Sequence, residues 1–164
     1  MKAFFCWVLC AVLLFGGCAS AGGDATACFR GGFRCTVTGE CNGVCFSARY
    51  EVAPMPADGV MPLTVIFYAS GVPEGAWLRR DEAGAVTLGA GELEAALGKG
   101  AFPLLLDAFS DFGEIRRVTV SKEGQTVLDC DRATVTFASD GTPLSVVRAG
   151  ITLHIAEWAT GNSA

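Results

Sequence analysis

The sequence predicts a mainly β (α+β) domain, an antiparallel meander with two short helices laid across one face of the sheet. Three observations carry this. Apolar and polar residues alternate through segment after segment, glycine-bearing turns punctuate the segments at even spacing, and the period changes from two to three or four only between Gly91 and Phe109. The composition, rich in Gly, Val, Thr and Phe and poor in Lys, favours strands broken by turns over a helical bundle.

The first hairpin runs from Phe29 to Val52. Phe33, Cys35 and Val37 alternate, Gly39-Glu40-Cys41-Asn42-Gly43 reads as the turn, and Val44, Phe46, Ala48 and Tyr50 alternate back. Matching the apolar faces pairs Val37 with Val44 and Cys35 with Phe46, which sets Cys45 opposite Thr36. Pro54 to Pro62 is a loop expected to expose Met55 and Met61. Leu63 to Ser70, apolar at nearly every position, is expected to be covered on both faces. A Gly71-Val72-Pro73-Glu74-Gly75 turn leads into a strand from Ala76 to Arg80, and a turn at Glu82-Ala83-Gly84 into another from Ala85 to Leu88.

Between Gly91 and Gly98, Leu93, Ala96 and Leu97 fall at i, i+3 and i+4, with Glu92 and Glu94 where a helix dipole favours acids. Pro103 opens a second helix that turns Leu104, Leu105, Ala108 and Phe109 inward. Neither helix is long enough to stand alone, so both are expected to lie on the sheet as a lid over residues 91–110. Strands resume at Glu114–Ser121, Thr126–Asp131, Ala133–Phe137, Leu144–Arg148 and Ile151–Trp158, turning at Lys122-Glu123-Gly124-Gln125 and Asp140-Gly141.

The N-terminus reads as a targeting segment. Lys2 precedes an apolar run from Ala3 to Phe15, and thirteen helical residues span only about 20 Å of a hydrocarbon core of ~30 Å. Gly16-Gly17-Cys18 closes the run and resembles the lipobox of bacterial lipoproteins, with Phe15 standing where that family usually has Leu. On this reading residues 1–17 are a signal peptide, Cys18 is the lipid-attachment site, 18–27 is a flexible tether, 28–158 is a single domain and 159–164 is a disordered tail. Cleavage after Ala19-Ser20-Ala21, which would release a soluble protein, is the competing reading.

Removal of residues 1–17 takes away one of 12 basic residues and leaves 11 against 17 acidic ones, a net charge of −6 and a poor match for nucleic acid. Of the 8 cysteines, Cys28, Cys35, Cys41, Cys45 and Cys130 remain in the domain, candidates for disulfides in an oxidising compartment. Cys41 could reach Cys45 or stay free, and Cys28 could staple to Cys130, with the connectivity open and, the number being odd, at least one thiol free or paired with another chain. Cys35, Cys41 and Cys45 lack a metal-binding spacing and the sole histidine, His154, lies far from them, so no metal or cofactor is expected. Asp107, Asp111 and Glu114 lack the spacing of a calcium loop and read as solvated charge. Hydrolytic catalysis needs a nucleophile with an oriented base, and His154 has no such context, so an enzyme is not expected.

The order of strands, a short helical lid and more strands, together with the closing segment VTFASDGTPLSVVRAGITLHIAEW (135–158), resembles the lipoprotein-localisation carriers and receptors of the bacterial envelope, the Lol proteins. The resemblance implies a curved antiparallel half-barrel over residues 28–158, with helices covering an apolar cavity for acyl chains. Phe33, Val37, Phe46, Tyr50, Val65, Phe67, Leu105 and Phe109 are the candidate lining. It further implies a lipid-anchored protein on the periplasmic face of the outer membrane, with acyl chains or lipoproteins as partners. An interaction or structural lipoprotein with a solid core and no ligand is the alternative.

Overall fold

The computed structural model describes residues 25–69, 73 and 75–161. The expected signal peptide, Cys18 and most of the expected tether lie outside these residues. A single 3-10 turn, Ala27–Phe29, precedes β1 (Phe33–Cys41) and β2 (Val44–Val52). Asn42 and Gly43 join the two strands at φ 49° and 83°, the left-handed pair whose twist matches that of the flanking strands.

This tight turn corrects the expected register. Cys41 pairs with Val44, Gly39 with Phe46, Val37 with Ala48 and Cys35 with Tyr50, so Cys45 faces Glu40 rather than Thr36. Gly39 belongs to the strand, not the turn. A Cβ there would lie 2.7 Å from the Thr152 carbonyl oxygen and 3.1 Å from the Phe46 ring, so this glycine serves the close approach of its neighbours.

The chain continues through β3 (Leu63–Ala69), β4 (Trp77–Arg80), β5 (Val86–Ala90) and β6 (Leu93–Leu97), then one helical turn, α1 (Pro103–Leu106). It closes with β7 (Ile115–Val120), β8 (Thr126–Cys130), β9 (Thr134–Phe137), β10 (Pro143–Arg148) and β11 (Ile151–Thr160). The 11 strands of the described residues form one curved, unclosed antiparallel sheet in the order β6-β5-β4-β3-β2-β1-β11-β10-β9-β8-β7. The first and last strands therefore meet at its centre, with Phe33 opposite Thr160 and Cys41 opposite Ile151, and a bulge at Thr36/Val37 adding local bend. Two meanders run outward from that pair to free edges at β6 and β7.

Pleating puts alternate side chains on the concave side, where the core sits: Val37, Tyr50, Val65, Leu78, Val86, Leu128, Val135, Val146 and Leu153 are all buried. β3 is covered on this side alone, since Ile66 is half-buried and Tyr68 exposed on the other, which corrects the expectation of two covered faces. Met61 is also inside, 3% exposed, while Met55 is exposed as expected.

The two-helix lid is not found. Residues 93–97 form edge strand β6, paired from Val86↔Leu97 to Ala90↔Leu93, and Gly91 at φ 60° helps close a two-residue turn. Leu93 is 78% exposed, so the helical spacing has no face to bury it against. An eight-residue segment is also too short to offset helix nucleation, whereas the hairpin gains a ladder on an existing strand. The second expected helix shrinks to α1.

Candidate functional site: the trough and its strap

Residues 98–114 cross the concave side between the two free edges as a strap. Its ends are set by two non-glycine residues in the left-handed region, Phe102 at φ 51° and Asp111 at φ 48°. Between them Leu106, Ala108 and Phe109 are buried, and Phe112 follows just beyond. Phe109 belongs to an aromatic cluster centred on Phe29, which also meets Phe33, Phe112, Phe137 and Trp158. The Phe109 ring lies 5.6 Å from Phe29, 5.3 Å from Phe33 and 5.0 Å from Tyr50, while Phe33 stacks on Trp158 at 4.3 Å.

Polar contacts pin the strap. Arg80, on the inward face of β4, donates from Nε to the Met61 carbonyl at 3.1 Å, from Nη2 to the Leu106 carbonyl at 3.1 Å and from Nη1 to Asp107 Oδ1 at 2.5 Å. Arg148, inward on β10, donates to the carbonyls of Asp107 and Ser110 and, at 3.4 Å, of Asp111. The Tyr50 hydroxyl donates to the Leu105 carbonyl at 3.2 Å. Within the strap these donors satisfy the carbonyls of Leu105, Leu106, Ser110 and Asp111, while that of Asp107 also accepts from the Ser110 amide and hydroxyl. Burial pushes the Arg148 guanidinium below its ordinary pKa, although the Asp107 carboxylate opposes this.

The strap covers only the middle of the trough. At one end Leu93 of β6, and at the other Val118 (56% exposed), Val120 (65%) and Ile115 of β7, stand uncovered. Register places all four on the concave side: Val118 opposes buried Leu128, Val120 opposes Thr126, Ile115 opposes Cys130 and Leu93 opposes Ala90. A cleft of about 620 Å³ also opens beside the strap, floored by Phe29, Met61, Phe109 and Phe112 and rimmed by Arg30 and Met55.

Seven of the candidate lining residues, Phe33, Val37, Phe46, Tyr50, Val65, Phe67 and Phe109, are buried, and Leu105 is half-buried. The structure brings Phe33, Tyr50 and Phe109 into ring contact and sets Phe46 edge-on to Phe67 at 6.1 Å. They pack against one another and the strap, and of the eight only Phe109 lines the cleft beside the strap. Sequence reasoning missed Arg80, Arg148 and Phe29. The available signal for Arg80 was its position two residues from Leu78, an arginine on an inward-facing strand position.

No disulfide joins any two of the described cysteines Cys28, Cys35, Cys41, Cys45 and Cys130. Cys41 opposes Val44 and Cys45 opposes Glu40, so the first pair anticipated is split between the two faces of the hairpin. Burial pushes the Cys35 thiol up to about 12, and burial, then the Cys35 and Cys41 thiols, push the Tyr50 hydroxyl up as well. Burial also raises Cys41, and it raises Cys130 with help from Asp129 and Asp131. His154 is exposed on the convex side of β11. Two of the three acids that lie close in sequence take different partners, Asp107 pairing with Arg80 and Asp111 with Arg132, and the Glu114 backbone amide donates to Asp131. Among the described residues no cluster of three or more His, Cys, Asp or Glu side chains is placed to hold a metal, and no helix is long and apolar enough to cross a membrane.

No family model and no curated protein matches the sequence. Among solved structures, the chain is similar to MucB at a TM-score of 0.53 and 13% identity, over 89% of this chain and 61% of MucB. The likeness is one of fold. An uncharacterized conserved protein from Thermus thermophilus matches at a TM-score of 0.50 and 15% identity, covering 85% of each chain. The MucA/MucB complex of Pseudomonas aeruginosa matches at 0.46 and 16% identity, over 87% of this chain and 59% of that one. The chain thus spans about three fifths of MucB.

Proposed function

We propose that this chain is an exported lipoprotein of the bacterial envelope, anchored through Cys18, that holds an acyl chain, free or borne by another lipoprotein, in the open part of its trough. The observation that carries the reading is that the concave face is apolar out to both free edges, with Leu93, Val118 and Val120 left uncovered. Exposed apolar side chains on an otherwise core-forming face mark a binding face more often than they are left idle. The cleft beside the strap, about 620 Å³, falls within the usual 300–1,000 Å³ of small-molecule sites. Its methionines can repack around a flexible chain, and each buried CH₂ contributes about 0.8 kcal/mol. No catalytic step belongs to this reading.

Native mass spectrometry on protein purified without detergent is the test, with uptake of a fluorescent fatty acid as the quantitative arm. We expect co-purifying acyl-chain mass, and weaker uptake in Leu93→Glu and Val118→Glu, whose exposure lets the fold survive. No bound mass and no uptake by the wild type would overturn the proposal. That outcome would favour the interaction lipoprotein without a ligand, which the solid aromatic packing under the strap supports. Loss of fatty-acid labelling in Cys18→Ala tests the anchor separately.

A further inference from the structure

We infer that the β7–β8 end of the trough lies against the membrane leaflet that anchors the chain, so that Ile115, Val118 and Val120 rest at the lipid surface. The inference rests on the anchoring of Cys18 proposed above and adds to it an orientation of the domain. Two independent observations meet at this end of the sheet. The first is where the chain joins the fold: Ala25 and Cys28 share a cleft with Thr126 and Leu128 of β8 and with Phe137, at the end of β9. Only seven residue steps separate Cys18 from Ala25, a reach of at most about 25 Å even when fully extended. An acylated Cys18 therefore holds the β8–β9 region within that distance of the bilayer whatever path the segment takes.

The second observation is the uncovered apolar surface one strand away. Ile115, Val118 and Val120 are 41%, 56% and 65% exposed and share the concave side of β7. The equivalent surface on β6 lies nine strands from β8, at the far edge of the sheet from the tether. Charge does not oppose the contact, because the basic residues of β7 are already neutralised across the strand pair. Arg117 bonds Asp129 at 2.7 Å and Arg116 pairs with Asp131. Arginine also tolerates a headgroup region, where its stem packs on apolar groups and its head stays wet. A leaflet is the one partner that the tether brings to this surface by construction, and burial of three β-branched side chains in it gains apolar contact without any spanning element.

The experiment uses the full mature chain, acylated in its native host, reconstituted in phosphatidylcholine/phosphatidylglycerol vesicles carrying lipids brominated on their acyl chains. Val118→Trp and Thr38→Trp place a probe on β7 and on the exposed outer face of β1. Insertion to an interfacial depth of ~5–10 Å is expected to cut the emission added by Val118→Trp about twofold and to leave that of Thr38→Trp unchanged. Equal quenching of the two probes, or a probe at Val118 shielded instead by a second copy in a dimer seen by native mass spectrometry, would overturn the orientation. Fatty-acid uptake by the unsubstituted mature chain, measured without vesicles, separates the outcomes. Retained uptake with equal quenching leaves the acyl-binding reading standing and removes only the orientation. A mature chain whose Cys18 carries no acyl mass removes both.

Discussion

Replacing Arg80 with methionine removes three donors at once and tests whether the strap is held by polar contacts or by its aromatic residues alone. Methionine fills much of the same aliphatic space, so the change isolates the guanidinium. Hydrogen bonds from a charged group are worth about 1.5–3 kcal/mol, and a buried acceptor left unpaired costs about 1–3 kcal/mol. Two acceptors lose their donor in this way, the carbonyls of Met61 and Leu106. The Asp107 side chain is 44% exposed, so its share of the ion pair is largely screened. The expected cost is therefore about 3–5 kcal/mol, a large part of the ~5–15 kcal/mol that holds a domain of this size. Urea unfolding reads it as a lower midpoint at an unchanged slope. Hydrogen exchange should locate the loss in the strap, at the Leu106 and Asp107 amides that bond Phe102 and Pro103. Asp107→Asn should cost under about 1 kcal/mol. If Arg80→Met cost no more than that, or if the two variants cost the same, the satisfied carbonyls would not be what fixes the strap.

Gly89→Ala should lower stability by about 1–3 kcal/mol and shift tryptophan emission, because the new Cβ would sit 2.2 Å from Trp77 Cε2, whose ring lies over the glycine. Unchanged emission would mean that Trp77 does not occupy that position. Alkaline pH should also weaken the fold. Cys35 is raised from 9.0 to about 12 by burial, so its folded state holds the proton more tightly than the unfolded chain does. That contribution is complete below pH 9, falls as pH rises from 9.0 towards 12, and Tyr50 adds to the loss in the same direction. Urea midpoints measured from about pH 8 upward in the wild type and in Cys35→Ala check this, with a flatter profile expected in the variant.

Local alternation made the strands legible, and β7 to β11 fall close to where the sequence places them, β11 running to Thr160 rather than Trp158. Periodicity marks which side of a strand is buried but not its register. The Gly39–Gly43 segment contained two turn signals, and the tighter Asn42-Gly43 pair won because both residues accept left-handed φ. At residues 93–97 a helical spacing of Leu93, Ala96 and Leu97 misled, since spacing shows amphipathicity only where a partner surface exists, and the free edge offers none. The candidate lining residues were recognisable as inward-facing. Whether they enclose space or fill it depends on Arg80, Arg148 and the path of the strap. These are contacts between residues as far apart as Arg80 and Asp107, which no local pattern encodes.

The pairing of β1 with β11 explains why the trough stays open. Because the two ends of the strand run meet at the centre of the sheet, its edges are the middle of the sequence, β6 and β7, and the 17 residues between Leu97 and Ile115 must cross from one edge to the other. A short connection would have let the edges pair and close a barrel. The strap runs inside instead, and Phe109 fills the space that closure would need, packed on Phe29, Phe33 and Tyr50. Two free edges are a liability, and both carry charged side chains that discourage pairing with other chains: Glu94 on β6, and on β7 Arg116 and Arg117, which stay exposed although each is paired with an aspartate. The apolar side chains beside them, Leu93, Val118 and Val120, project from the concave face rather than from the edge itself. Charge at the edge disfavours strand addition, and apolar surface on the face is where the proposed acyl chain or leaflet would meet the trough, from its open side.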